Sequence, residues 1–185
     1  MIELVLDDAD DRMRKAVHHA RQEFSTIRTG RAAPALVERI PVEAYGEEMP
    51  LQQLASFTVP EARQLLITPF DKGNLAAIEK AIQHSDLGLN PSNDGHSIRL
   101  VFPPLTEERR KEMVKIVRHM AEEGKIAIRN ARRDARKELE SAEKDGDMSA
   151  DDLQRAEKDL DKRTHAHEAE IDTALEQKEA ELLEV

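Results

Sequence analysis

At 185 residues, 39% hydrophobic and 36% charged, with 3% aromatics and no cysteine, the chain suits one mid-sized domain or two small ones. The absence of cysteine excludes disulfides, thiol catalysis and thiolate metal sites, and no apolar run approaches the roughly 20 residues of a membrane span. A net charge of −10 argues against indiscriminate nucleic-acid binding, but the charge is uneven: residues 106–145 carry 12 basic and 10 acidic groups, net +2, while 146–185 carry 5 and 13, net −8.

The N-terminus, MIELVLDDADDR, is acidic with a short apolar run, neither a secretory signal nor an Arg-rich transit peptide, so a cytoplasmic protein is expected. Met13, Val17, Ala20, Phe24 and Ile27 recur at heptad-like spacing and predict an amphipathic helix over 5–27. The acids Asp7, Asp8, Asp10 and Asp11 are read as favouring that helix's positive N-terminus. Gly30 in Arg28-Thr29-Gly30-Arg31 is a natural stop.

From Ala32 to Val101 the texture changes, with prolines at 34, 41, 50, 60, 69 and 91 punctuating short runs. Strands are expected at Val37–Tyr45, Leu54–Val59 and Leu65–Thr68, then a helix over Asn74–His84. A turn follows at Asn93-Asp94-Gly95, and a last strand carries Ile98, Leu100 and Phe102. Pro103-Pro104 closes this module.

A long helix then opens with Thr106 as candidate N-cap and Glu107 and Glu108 in its first turn. Its apolar seam runs through Met113, Val117, Met120, Gly124, Ala127, Ile128, Ala131, Ala135, Leu139 and Ala142, and the helix stops near Asp145-Gly146-Asp147. Ser149 and Asp152 resemble a capping box for a further helix to about Leu183, its seam weakest around Thr164 to His167. Three amphipathic helices that cannot bury their seams alone imply a three-helix bundle. The fold class expected is therefore α+β: a bundle from 1–30 and 105–185, interrupted by a β/α/β domain at 31–104. Two connections join them, Thr29-Gly30-Arg31 and Phe102-Pro103-Pro104, and read together as a hinge.

Within the long helix, Lys125, Arg129, Arg132 and Arg136 fall in an arc of about 60° at 100° per residue. Arg133 and Lys137 flank them, and Arg28 and Arg31 near the hinge could extend the patch. Arginine forks pair bidentately with phosphate, and without stacking aromatics the pattern suits folded RNA read by shape and backbone. The competing reading is a solvated face held by i,i+4 pairs to nearby Glu. A third is a helical adaptor that binds protein through its acidic last helix. Neither His18-His19 nor His165-x-His167 has the i,i+4 spacing of a helical metal pair. No phosphate loop and no G-x-S-x-G elbow is present, so neither an enzyme nor a cofactor is expected.

Ser25-Thr-Ile-Arg-Thr-Gly-Arg-Ala-Ala-Pro34, Gln53-Leu-Ala-Ser56, Ser85-Asp-Leu-Gly-Leu-Asn-Pro91, Pro103-Pro-Leu-Thr-Glu-Glu-Arg-Arg-Lys111 and Arg129-Asn-Ala-Arg-Arg-Asp134 together resemble bacterial ribosome recycling factors, in the family's order and spacing. Ala44-Tyr45 departs from a pair of aromatics frequent there. The resemblance implies an L-shaped, monomeric, non-enzymatic protein that binds the post-termination ribosome. It implies a bundle lying along large-subunit ribosomal RNA and a module meeting elongation factor G. That factor's GTP hydrolysis then drives subunit splitting and release of mRNA and tRNA. The implied RNA contacts are Arg28, Arg31, Arg129, Arg132 and Arg133, with Arg132 matching the family's key arginine; Lys125 and Arg136 join them from the stripe. No membrane contact is implied.

Overall fold

The computed structural model describes residues 1–184; Val185, the last residue of the expected bundle span, lies outside the described residues. The chain forms two compact units, Met1–Arg28 with the chain from Thr106 onward, and Thr29–Leu105.

The first unit is three helices, α1 (Ile2–Ser25), α3 (Glu107–Lys144) and α4 (Ala150–Leu183), each packed on the other two. In α1 the buried side chains are Leu6, Ala9, Met13, Val17, Ala20 and Phe24, steps of three and four that put one stripe inside. Helix α3 begins where expected: the Thr106 hydroxyl accepts the Arg109 N–H at 3.1 Å, with Glu107 and Glu108 in the first turn. It ends in a Schellman turn. Gly146 takes φ +82°, its N–H reaches the Glu143 carbonyl at 3.1 Å, and the Asp147 N–H reaches Ala142 at 2.9 Å. Ser149 then accepts the Asp152 N–H at 3.1 Å and starts α4.

At one level of the bundle core there is no room for a side chain on α3: a Cβ on Gly124 would stand 2.9 Å from Ile171 Cδ1 and 3.2 Å from Ala20 Cβ, so glycine is needed there. Two seam assignments shift in the fold. Ala127 is exposed, and Val114 and Ala121 are buried in addition to the expected set. The expected weak point of α4 is instead filled by polar residues. Thr164 is buried with its hydroxyl donating to the Leu160 carbonyl at 2.7 Å, and buried His167 meets Asp10 Oδ1 through Nε2 at 2.9 Å. The acidic run accordingly has another role than the one expected of it. With α1 starting at Ile2, Asp7 and Asp10 lie beyond the first turn, and they tie α1 to Arg163 and His167 of α4.

The second unit holds a two-stranded antiparallel sheet, β1 (Pro41–Ala44) with β2 (Glu47–Pro50), and a four-stranded antiparallel sheet of order β3-β4-β6-β5. Its strands are β3 (Ala55–Glu61), β4 (Gln64–Pro69), β5 (Ser92–Asn93) and β6 (Ile98–Val101), and helix α2 spans Leu75–Gln83. Leu65 and Ile67 of β4, Ile98 and Leu100 of β6, and Ile78 and Ile82 of α2 are fully buried and form the centre of one core. The expected strand at Val37–Tyr45 is shorter than its apolar composition suggests. Pro34 opens a 3₁₀ turn over Pro34–Leu36, and its carbonyl takes the N–H groups of Val37 and Glu38, both at 3.0 Å, so extension starts only at Pro41. Tyr45, at the departure from the family pattern, sits at φ +54°; its hydroxyl donates to Asp71 at 2.9 Å and accepts from Asn74 at 3.2 Å.

Candidate nucleic-acid interface

The arginine stripe is real as a row and altered as a charge. Antiparallel packing of α3 on α4 sets every stripe cation opposite a carboxylate of α4. Lys125 pairs with Asp172, Arg129 with Glu168 at 3.7 Å, Arg132 with Asp161 at 2.7 Å and Arg136 with Glu157 at 3.3 Å. Arg118, one heptad before Lys125, extends the ladder to Glu179 at 2.6 Å. Two further acids come from α3 itself, Glu122 to Arg129 at 3.2 Å and Glu140 to Arg136 at 3.0 Å. Five cations thus meet seven carboxylates. Only Arg136–Glu140 has the i,i+4 spacing of the local-pair reading. The bond to Glu140, with Glu157 adding, holds the Arg136 guanidinium above its ordinary range, and Glu179 does the same to Arg118.

The ladder has one irregular step. Between Arg129 and Arg132 the chain advances three residues on α3, but between Glu168 and Asp161 it advances seven on α4. The skipped turn is that of Thr164, whose side chain is buried. Arg132 and Arg136 line a small surface depression with Glu157, Leu160 and Asp161. The Arg132 side chain keeps 36% of its exposure there, against 19% for Lys125, so its fork is the more accessible of the two.

The other expected residues separate from the ladder. Arg133 is exposed on the outer side of α3, donates to Asn130 Oδ1 at 3.0 Å, and has no acidic partner among the described residues. Arg28 is exposed and likewise unpaired among the described residues; it follows the end of α1. Arg12 meets Asp134 and Ala20 meets Gly124, so α1 and α3 run antiparallel, and Arg28 lies about fourteen residues, roughly 20 Å, from the level of Arg132. Arg31 is exposed and belongs to the other unit. Five of the eleven acids of α4 on which the adaptor reading relies, Glu157, Asp161, Glu168, Asp172 and Glu179, are committed to this ladder. Among the described residues no group of His, Cys, Asp and Glu could hold a metal ion, and no helix is long and apolar enough to cross a membrane.

Together, fold and helix face define a two-unit α+β protein built around a three-helix bundle that carries an ion-pair ladder along α3 and α4. The ribosome recycling factor family model matches residues 20–183. Ribosome-recycling factors of Acidothermus cellulolyticus and a Nocardioides species are each 56% identical to this chain over 185 residues, covering all of both proteins. A solution structure of a ribosome recycling factor superposes with a TM-score of 0.74 at 40% identity, over 100% of this chain and 98% of its own. A second match has a TM-score of 0.65 at 43% identity over the whole of both chains. It comes from models for the T. thermophilus ribosome recycling factor and E. coli elongation factor G bound to the E. coli post-termination complex. The chain belongs to the ribosome recycling factor family, whose members are non-enzymatic translation factors.

Proposed function

We propose that this protein binds the post-termination ribosome in the cytoplasm as a monomer. With elongation factor G and GTP it promotes splitting into subunits and release of mRNA and tRNA. The observation that carries the proposal is full-length similarity, at 43% identity, to a factor described on that complex with elongation factor G. In this reading the bundle lies on large-subunit ribosomal RNA through Arg28, Arg31, Lys125, Arg129, Arg132, Arg133 and Arg136. The sheet unit meets elongation factor G, and Thr29-Gly30-Arg31 with Phe102-Pro103-Pro104 form the hinge. No cofactor is needed, since nucleotide hydrolysis belongs to the partner.

The ladder adds a physical condition. Phosphate must replace a carboxylate at each stripe arginine, so binding there is an exchange of partners, and the unpaired Arg133 and Arg28 contribute without that exchange. Light scattering of post-termination ribosomes with elongation factor G and GTP tests the function: scattering falls only when this protein is present. An unchanged trace refutes it. Arg132→Ala tests the site, with weaker ribosome binding and a salt slope shallower by about one contact, roughly 0.7 to 0.9 units.

A further inference from the structure

The outward face of α4 carries a second basic row. Arg155, Lys158, Lys162 and His165 recur at steps of three, four and three, and at 100° per residue they share an arc of about 80°. That arc lies opposite the buried Ala156, Leu160, Thr164 and Ile171. All four side chains are exposed, and none has an ion-pair partner among the described residues. This is unexpected in a segment with net charge −8, where acids are plentiful.

The ladder explains it. The acids within reach of Lys158 and Lys162 along the helix are Asp159 and Asp161. Asp159 is engaged by Arg163 at 3.4 Å, and Asp161 by Arg132 at 2.7 Å. With both acids committed to arginines, Lys158 and Lys162 are left outward without an ion-pair partner among the described residues. On α3, at the level that the Arg132–Asp161 and Arg136–Glu157 rungs set, Arg133 and Lys137 are also exposed without acidic partners among the described residues. The helix pair thus presents two outward rows of cations without acidic partners, with the paired ladder and its surplus of carboxylates between them.

We propose that Arg155, Lys158 and Lys162, with His165 at the end of the row, form a second RNA-backbone contact on the outer face of α4. It rests on the ribosomal RNA reading given above and adds a surface to it. The chemistry favours a polyanion over a protein partner. Protein interfaces bury an aromatic or aliphatic core, and the outward side chains between Arg155 and Ala169 offer only cations, a histidine and alanines. Phosphate binding by counterion release needs no more than unpaired positive charge. The α3 row lies across the ladder, so one folded RNA segment could be held by both rows.

The test is the full-length chain with Arg155→Ala, Lys158→Ala and Lys162→Ala combined, titrated against purified large ribosomal subunits over a range of salt. Alanine favours helix at these exposed positions. Lys158→Gln with Lys162→Gln is measured alongside as a second charge-removing set with a smaller expected effect. The slope of log affinity against log salt is expected to become shallower by about two to three units in the triple variant, at roughly 0.7 to 0.9 per contact. An unchanged slope in both variant sets overturns the proposal. So does a loss seen with elongation factor G alone but not with large subunits, which would mean that a protein docks on this row. Arg132→Ala is run in parallel: a slope change there with none in the triple variant sinks only the α4 row, and no change in either sinks the RNA reading of the bundle as well.

Discussion

Asp161→Asn is the sharpest probe of the exchange at the ladder, because it removes the competitor and leaves the arginine. The Arg132–Asp161 pair spans 2.7 Å between side chains that keep 36% and 48% of their exposure. A pair so open to water contributes about 0.2 to 1 kcal/mol. If RNA must displace Asp161 from the guanidinium, deleting the carboxylate charge returns that amount to binding. At 1.4 kcal/mol per tenfold, affinity for ribosomes rises about 1.4- to 5-fold. Bundle stability falls by the same small amount. Titration of labelled protein with ribosomes at fixed salt measures the first quantity, and urea unfolding followed by circular dichroism the second. The control is the same substitution in an Arg132→Ala background, where the gain vanishes. An equal gain without Arg132 would show a general charge effect, and no gain at all would show that the arginine is not handed from carboxylate to phosphate.

Two further predictions concern the scaffold. Gly124→Val places a branched side chain where even a Cβ lies 2.9 Å from Ile171 and 3.2 Å from Ala20, and should cost about 2 kcal/mol, or a fall in the melting midpoint of roughly 4 to 8 °C; an unchanged midpoint would mean that the helices do not meet there. In the sheet unit, the Gly73 N–H and then the Tyr45 hydroxyl hold the Asp71 carboxyl below its ordinary range against a small opposing effect of burial. A lowered value in the fold stabilises above the unfolded value of about 3.9 and is lost as pH falls through the folded one. NMR titration should place Asp71 below an ordinary aspartate, with Tyr45→Phe raising the midpoint part of the way; a midpoint unmoved by that change refutes the Tyr45 contribution.

What the sequence discloses and what it hides follow from range. Caps depend on three or four consecutive residues, so Thr106, Ser149 and Gly146 could be read directly and the structure agrees. The stripe was equally local. Its partners were not, because Asp161 and Glu157 face Arg132 and Arg136 only through the register of two antiparallel helices, and the pairing skips a turn of α4 at Thr164. His167 was unreadable as core for a similar reason: its burial depends on Asp10, 157 residues away. Strands β2 and β5 gave no signal, since Glu47–Pro50 and Ser92–Asn93 lack any apolar alternation and form by pairing with β1 and β6. Lys158 and Lys162 lie in an acidic segment whose total charge masks the basic character of its outer face.

The ends of the sheet unit have a consequence for folding. The Ala32 N–H bonds the Ala62 carbonyl and the Phe102 N–H bonds the Arg63 carbonyl, both at 2.8 Å, so entry and exit are fastened to neighbouring residues of one hairpin turn. Gly30, at φ +79°, comes close enough to Leu105 that a Cβ would lie 3.5 Å from its Cγ. Once this unit has formed, α1 and α3 are separated kinetically by a few residues instead of by the 81 positions between Ser25 and Glu107. Four halvings of loop length, at about 0.6 kcal/mol each, save roughly 2.4 kcal/mol of closure entropy. The insertion thereby acts as a folded short-circuit that lets a discontinuous bundle assemble as though its chain were continuous.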